Sequence, residues 1–213
     1  MRPRFLHITL NRKLWLLTVL LFFCYSHSYT QENTAAGNDI EYHFDKAREF
    51  GNKNKMEPAL EELNTAMEIA FKNNDQKALI DTYHKFAILY LRMQKDDSAE
   101  YYADRSKSLL KDISYPYGEA THKYIDAIIS YRDGKNFLAI SMLNEAKQIN
   151  NDRNLLNNIL FVEGIIFLNL EKYESATKNF NALAVNTDIY EKDYLAAKAN
   201  IKLAEINNRT ENY

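Results

Sequence analysis

The side chains of this chain that could do chemistry are few and widely spaced. Histidine binds metals and transfers protons near neutral pH, and His43, His84 and His122 lie beyond the N-terminal segment. No two of them have the four-residue separation that places a pair of zinc ligands on one helix face. The sequence also contains no glycine-rich loop of the kind that binds phosphate. It therefore predicts no metal site and no cofactor.

Two carboxylates raise the alternative of acid–base catalysis. Asp126 and Glu163 each come directly before a small residue, Ala127 and Gly164, inside a predicted helix. Paired carboxylates can divide proton transfer between them when they face one another. One polar residue near the edge of each helix explains the same positions, and we favour that interpretation. The sequence thus predicts no catalytic residues and a protein that is not an enzyme.

The composition narrows the class of protein. The chain has 213 residues, of which 27 are basic and 29 acidic, so no polybasic surface predicts nucleic-acid binding. It contains only five glycines and three prolines, too few for a many-stranded sheet protein or a disordered chain. From residue 40 to about residue 206 the apolar residues recur with helical spacing, so these residues are predicted to form helices.

A small residue recurs at a fixed place in these predicted helices. In residues 160–183, Gly164 and Ala176 are twelve residues apart and lie on two helices joined by a tight turn. The same spacing of twelve occurs three more times, with 40, 40 and then 37 residues between successive copies. The first small residue of each copy is Ala47, Ala87, Ala127 or Gly164, and the second is Ala59, Ala99, Ala139 or Ala176. Small residues at such places let two helices approach closely.

The frame resembles the tetratricopeptide repeat. Gly164, an aromatic residue three positions later (Phe167), Ala176, and an aromatic residue four beyond it (Phe180) make up most of that signature. The resemblance implies an all-α fold, an α-solenoid of stacked antiparallel helix pairs in a right-handed superhelix. We expect about four pairs plus a terminal capping helix over residues 40–207, followed by a tail at 208–213.

The N-terminal residues have the features of a secretory signal. Four basic residues precede the apolar run at 14–23, which is about half the ~20 residues that span a bilayer. We therefore predict a signal peptide at residues 1–28, a flexible linker at 29–39, and an exported protein of the periplasm or cell envelope. Two alternatives remain open: an uncleaved N-terminal anchor, and lipid attachment at Cys24, although Phe22 and Phe23 are poor neighbours for that processing.

One further stripe follows the same frame on the first helix of each copy. Ile88, Ile128 and Ile165 come directly after the small residue in copies two to four, with large residues one helical turn away on either side. In tetratricopeptide proteins the first helices line a concave groove, so the resemblance implies a groove that binds a protein or peptide. The predicted groove residues are His84, Ile88, Leu91, Arg92, Tyr124, Ile128, Tyr131, Arg132, Phe161, Ile165 and Leu168. The alternative is that the stripe is ordinary core, closed by tight coiling or by the ninth helix.

The resemblance then gives two functional hypotheses. The first is a non-enzymatic scaffold, exported from the cytoplasm, that binds a protein or peptide partner in its groove. The second is the extracytoplasmic sensory portion of a bacterial membrane signalling protein that is truncated or split, because such proteins carry similar exported arrays. A reading frame just downstream that encodes a membrane span would favour the second hypothesis.

Overall fold

The helices alternate in direction along the whole described part of the chain. The computed structural model describes residues 39–185 and 192–211, which form nine helices and contain no strand. Residues 39–52 form α1, and the others are α2 (Met56–Lys72), α3 (Gln76–Arg92), α4 (Asp96–Leu110), α5 (Pro116–Arg132), α6 (Asn136–Ile149), α7 (Arg153–Asn169), α8 (Tyr173–Val185) and α9 (Lys192–Glu211). The predicted all-α solenoid is confirmed, whereas the right-handed superhelix stays a prediction.

Each helix packs mainly against its neighbours in sequence. We call α1, α3, α5 and α7 the first helices, and α2, α4, α6 and α8 the second helices, of four pairs. Within the pairs α3–α4, α5–α6 and α7–α8 the contacts are the most extensive, and α9 packs against α8 and α7. The predicted ninth helix therefore covers the end of the array, and it extends to Glu211 instead of ending near Ile206.

The small residues predicted from the frame lie at the helix contacts. Of those on the first helices, Ala87 and Ala127 are fully buried and Ala47 and Gly164 are buried. The four on the second helices have no exposed surface: Ala59, Ala99, Ala139 and Ala176. Because alanine and glycine add almost no bulk, the two backbones of a pair can approach closely along this line. The resulting core is one chain of apolar clusters that runs from α1 to α9.

The turn inside each pair has the same backbone structure in all four copies. A residue with left-handed backbone follows each first helix: Asn54, Gln94, Gly134 and Glu171, with φ of 58°, 58°, 77° and 59°. The next residue is always lysine, and its amide donates to a carbonyl five residues earlier. In Lys55 to Phe50 this bond is 2.9 Å long, and in Lys95 to Tyr90 it is 3.0 Å. This is the Schellman ending of an α-helix, which uses up carbonyls that would otherwise lack partners.

The helices differ in whether a side chain caps their first turn. Asp75 and Asp152 cap α3 and α7, since their carboxylates accept the amides of Ala78 and Leu155 at 3.0 and 2.7 Å. In α4 the N-cap is Lys95, which makes no side-chain bond, and Asp96 lies in the first turn. The carboxylate therefore acts on the positive end of the helix through its charge.

Some of the sequence predictions concern residues that the structure does not describe. The signal peptide, most of the linker and Cys24 lie outside the described residues. Within the described ranges, no helix combines the length and the apolar character needed to cross a bilayer.

We predict that Gly164 is required by the ring of Phe180. A β-carbon at position 164 would lie 2.7 and 2.8 Å from two ring carbons of Phe180, whose side chain is fully buried. Gly164→Ala should therefore destabilise the protein by about 1–3 kcal/mol through overpacking, offset by up to about 1 kcal/mol of helix propensity. Chemical denaturation measures this loss.

The matched control is the same change in a Phe180→Leu background. Because leucine has no ring at that place, Gly164→Ala should cost clearly less there. An equal cost in both backgrounds would contradict the assigned contact.

Candidate functional site

The two layers of the array differ in how closely their helices approach. In the layer of the first helices α3 contacts α5 and α5 contacts α7, and α9 extends this layer by contacting α7. No Cα atoms of any two of the second helices α2, α4, α6 and α8 come within 8 Å of each other. An array whose helices touch in one layer and are separated in the other is concave on the side of the touching layer. The first helices therefore line the inside of the curve.

The predicted groove residues divide into three groups by exposure. Four are buried and belong to the helix contacts: His84, Leu91, Tyr124 and Leu168. Five are half-buried: Ile88, Ile128, Tyr131, Phe161 and Ile165. The last two, Arg92 and Arg132, are exposed. The three isoleucines therefore combine accessible surface with a firm position, since each packs against a core cluster.

The accessible face of α3 is rotated from the predicted one by about one residue. The predicted stripe follows His84, Ile88 and Leu91, of which only Ile88 is accessible. The accessible residues at spacings of four, four, three and four are Lys77, Asp81, Lys85, Ile88 and Arg92, which we call the exposed stripe of α3. At the corresponding places on α7 lie Asn154, Asn158, Val162, Ile165 and Asn169. The isoleucine is thus flanked by charged side chains on α3 and by Val162 and asparagines on α7, whereas on α5 the corresponding Thr121 and Ile125 are buried.

Polar contacts between first helices surround the N-terminal half of this stripe. The hydroxyl of Tyr115, at the start of α5, donates to Asp81 at 2.7 Å, and the other Asp81 oxygen has no hydrogen-bond partner. Burial raises the pKa of the Asp81 carboxyl from 3.8 to about 6, although the bond from Tyr115 and the charge of Lys85 oppose the shift. The Nζ atoms of Lys85 and Lys77 lie 4.4 and 5.4 Å from the ring centroids of Phe44 and Tyr115. Each of these contacts joins two neighbouring first helices.

Two arginines join the first helices at their C-terminal ends. Arg92 donates to the carbonyl oxygen of Gly51 at 2.6 Å, and Arg132 donates to that of Leu91 at 2.5 Å. Both acceptors lie in the last turn of the preceding first helix, where each also accepts a backbone amide, of Asn54 at 3.0 Å or of Gln94 at 3.1 Å. The helix dipole favours a cation at this end. Arg132 also forms an ion pair with Asp96. Arg92 and Arg132 are predicted groove residues, whereas in the structure their guanidinium groups bind backbone carbonyls of the preceding repeat.

The candidate acid–base carboxylates have separate partners. Glu163 is 4% exposed and accepts bonds from Lys147 at 2.8 and 2.9 Å and from Asn179 at 2.9 Å. Asp126 lies beside His122, with 3.3 Å between its Oδ2 and the imidazole Nε2. Within the described residues, no group of three or more His, Cys, Asp or Glu side chains could hold a metal ion. Glu163 is therefore a buried carboxylate whose charge is balanced by the ammonium group of Lys147.

Comparison with known proteins adds no assignment. The chain matches no protein-family model, and no curated protein matches it significantly. The family resemblance therefore depends on the residues of the repeat frame.

We predict that Arg92 and Arg132 stabilise the contact between successive pairs. Arg92→Ala and Arg132→Ala should each cost about 1 kcal/mol, because each removes a charged hydrogen bond to a helix-end carbonyl near the surface. Arg132→Lys should restore little, since an ammonium group cannot bind Leu91 and Asp96 in the geometry of a planar guanidinium. The midpoint of chemical denaturation reports each change.

Lys135→Ala is the matched control. Lys135 is also a basic residue, but its ammonium group forms an exposed ion pair with Asp133, two residues earlier in the same turn. Its loss should leave the midpoint where it is. Arginine variants as neutral as this control would contradict the proposed bridging role.

Proposed function

We propose that this protein is a tetratricopeptide-type scaffold, exported from the cytoplasm, that binds a protein or peptide on the inner surface of its first helices. The observation that carries the proposal is the exposed stripe, which presents half-buried isoleucine between polar residues on the concave layer. The repeat frame supports the family, because four copies share both the buried small residues and the same Schellman turn. The proposal assigns no catalytic activity to the protein.

The partner should combine apolar and polar side chains. Ile88, Ile128 and Ile165 each lie on a different first helix, so their accessible surfaces form a row across the layer. An extended or helical peptide could place one apolar side chain against each isoleucine in turn. The lysines of the exposed stripe of α3 would then meet polar groups of the same peptide. Specificity would come from these charges, whereas the isoleucines would supply the buried area.

We predict that replacing the three isoleucines by serine separates binding from folding. Each half-buried isoleucine should contribute roughly 1 kcal/mol to stability, so the triple variant should keep a cooperative thermal transition at a lower midpoint. Capture of partners from a cell-envelope extract should fall sharply relative to the wild-type protein. Loss of the cooperative transition would mean that the stripe is core and would contradict the groove.

The control uses the buried neighbours of the same helices. Leu91→Ser and Leu168→Ser remove side chains that are 3% and 2% exposed, so each should cost about 2–5 kcal/mol. If the leucine variants and the isoleucine variants lose the same stability, the isoleucines are as much part of the core as the leucines. That result would contradict a binding surface formed by the isoleucines.

Export is the second testable part of the proposal. Residues 1–35 fused to a reporter that is active only outside the cytoplasm should give reporter activity and a shortened product. The physical reason is that the apolar run at 14–23 is long enough for a signal sequence and short for a membrane span. A full-length product that stays in the membrane fraction would instead indicate an anchor, and lipid labelling that depends on Cys24 would indicate a lipoprotein.

A further inference from the structure

Two imidazole rings are buried where the second and third helix pairs meet. His84 of α3 is 2% exposed and His122 of α5 is 8% exposed. The rings are stacked, with 6.2 Å between their centroids and an interplanar angle of 26°. The pair therefore lies in the contact between two neighbouring first helices, one helical turn before Ile88.

The hydrogen bonds of this pair are incomplete. Neither ring nitrogen of His84 has a hydrogen-bond partner, and Nε2 of His122 makes no hydrogen bond although the Asp126 carboxylate lies 3.3 Å away. Nδ1 of His122 lies 3.4 Å from the hydroxyl oxygen of Ser106, which comes from α4. A neutral imidazole always carries one N–H donor and one acceptor, so His84 leaves both groups unsatisfied inside the protein. Since an apolar side chain would avoid this loss, stability alone does not explain the histidines.

The charges that act on His84 disfavour its protonation, whereas those that face His122 are mixed. Burial lowers the pKa of His84 from 6.5 to about 3, and the neighbouring His122 and Lys85 act in the same direction. Burial also lowers the pKa of His122. The charges that face His122 come from both flanking helices: Asp104 and Lys107 of α4, and Lys123 and Asp126 of α5. The two carboxylates oppose the shift and the two lysines support it, so His122 is the easier of the pair to protonate.

We propose that His84 and His122 form an acid-sensitive latch between the second and third helix pairs. The neutral rings let α3 and α5 pack together. Proton uptake by the pair places a cation in this contact, where neither nitrogen of His84 has a hydrogen-bond partner and only His122 has a carboxylate, that of Asp126, at 3.3 Å. The contact between the two first helices then opens. The bonds that share this junction, Tyr115 to Asp81 and Arg132 to the Leu91 carbonyl, loosen with it. The spacing of Ile88 and Ile128 on the inner surface therefore changes with pH.

The direction of the pH effect follows from where the protons bind. A histidine in the opened contact titrates near its ordinary pKa of about 6.5, whereas the packed contact holds it neutral. The histidine contribution to packing is therefore complete above about pH 6.5 and is lost as the pH falls below that value. Asp81 acts in the opposite direction, since its pKa in the packed state is about 6 against an ordinary 3.8. Its proton uptake favours the packed state as the pH falls through 6.

Hydrogen–deuterium exchange of the full-length protein at pH 7.5 and 5.5 tests the latch. Protection is corrected for the intrinsic pH dependence of exchange, and peptides from α7 and α8 serve as the internal reference. At one unit below the ordinary pKa, the opening equilibrium should rise about tenfold for each histidine that is protonated only in the open state. Peptides from α3 and α5 should therefore lose protection about tenfold to a hundredfold, with the reference peptides unchanged.

Two variants separate the latch from other acid effects. In His84→Phe with His122→Asn, the ring contact and a polar group near Ser106 are kept but the titration is removed, so the loss of protection at pH 5.5 should disappear. Asp81→Asn removes the opposing titration, so its loss of protection should equal or exceed that of the wild-type protein. Equal loss in the wild-type protein and the double histidine variant would overturn the proposal, as would equal loss over α3 to α8.

A measurement on the wild-type protein covers the case in which the double variant does not fold. Nuclear magnetic resonance of the imidazole nitrogens follows the protonation of His84 and His122 directly. The latch requires that their protonation and the loss of α3 and α5 protection have the same midpoint. Protonation near pH 6.5 in a junction that remains protected would overturn the proposal.

Discussion

Close contact between helix backbones at small residues is the constraint on which this structure depends. Ala59, Ala99, Ala139 and Ala176 have no exposed surface, and each lies twelve residues after a buried small residue of its first helix. A close contact of this kind buries little side-chain area by itself. Each pair must therefore obtain the rest of its core from large residues around the contact and from the adjacent pairs, as Phe180 does over Gly164. The solenoid is the consequence of that requirement.

The space around these contacts is filled differently in each pair. In α4, Ala103 occupies a place where the other copies have leucine or phenylalanine, which predicts thin packing there. The structure compensates from the neighbouring position, because Tyr102 stacks on Phe86 with 4.5 Å between ring centroids and on Tyr90 with 5.5 Å. The small Ser106 in turn leaves room for the His122 ring. The other copies have Ala66, Ala146 and Leu183 at this place, so the hydroxyl near His122 is what distinguishes α4 there.

Much of the fold could be predicted because the same pattern of small residues occurs four times along the chain. The turns after Gly51, Leu91, Tyr131 and Leu168 follow the same count from the small residue in every copy, and only one of them contains glycine at the left-handed position. Single caps were less predictable. Asp152 caps α7 but Asp96 does not cap α4, because the Schellman turn fixes the lysine before Asp96 as the N-cap residue. The turn that all four copies share, and not the nearby carboxylate, therefore determines where α4 begins.

By itself the sequence determined the helical class, the four pairs with a terminal helix, and the line of close contacts, because each depends on periodic spacing along the chain. Only the tertiary structure decided which side of each first helix remains accessible. Leu91 is buried while Arg92 is exposed, a choice made by α5 packing beside α3. The tertiary structure also decided that Arg92 and Arg132 bind carbonyls of the preceding repeat, and that His84 meets His122. Such contacts join residues about 40 positions apart, and helical periodicity sets the direction of a side chain without setting its distant neighbour.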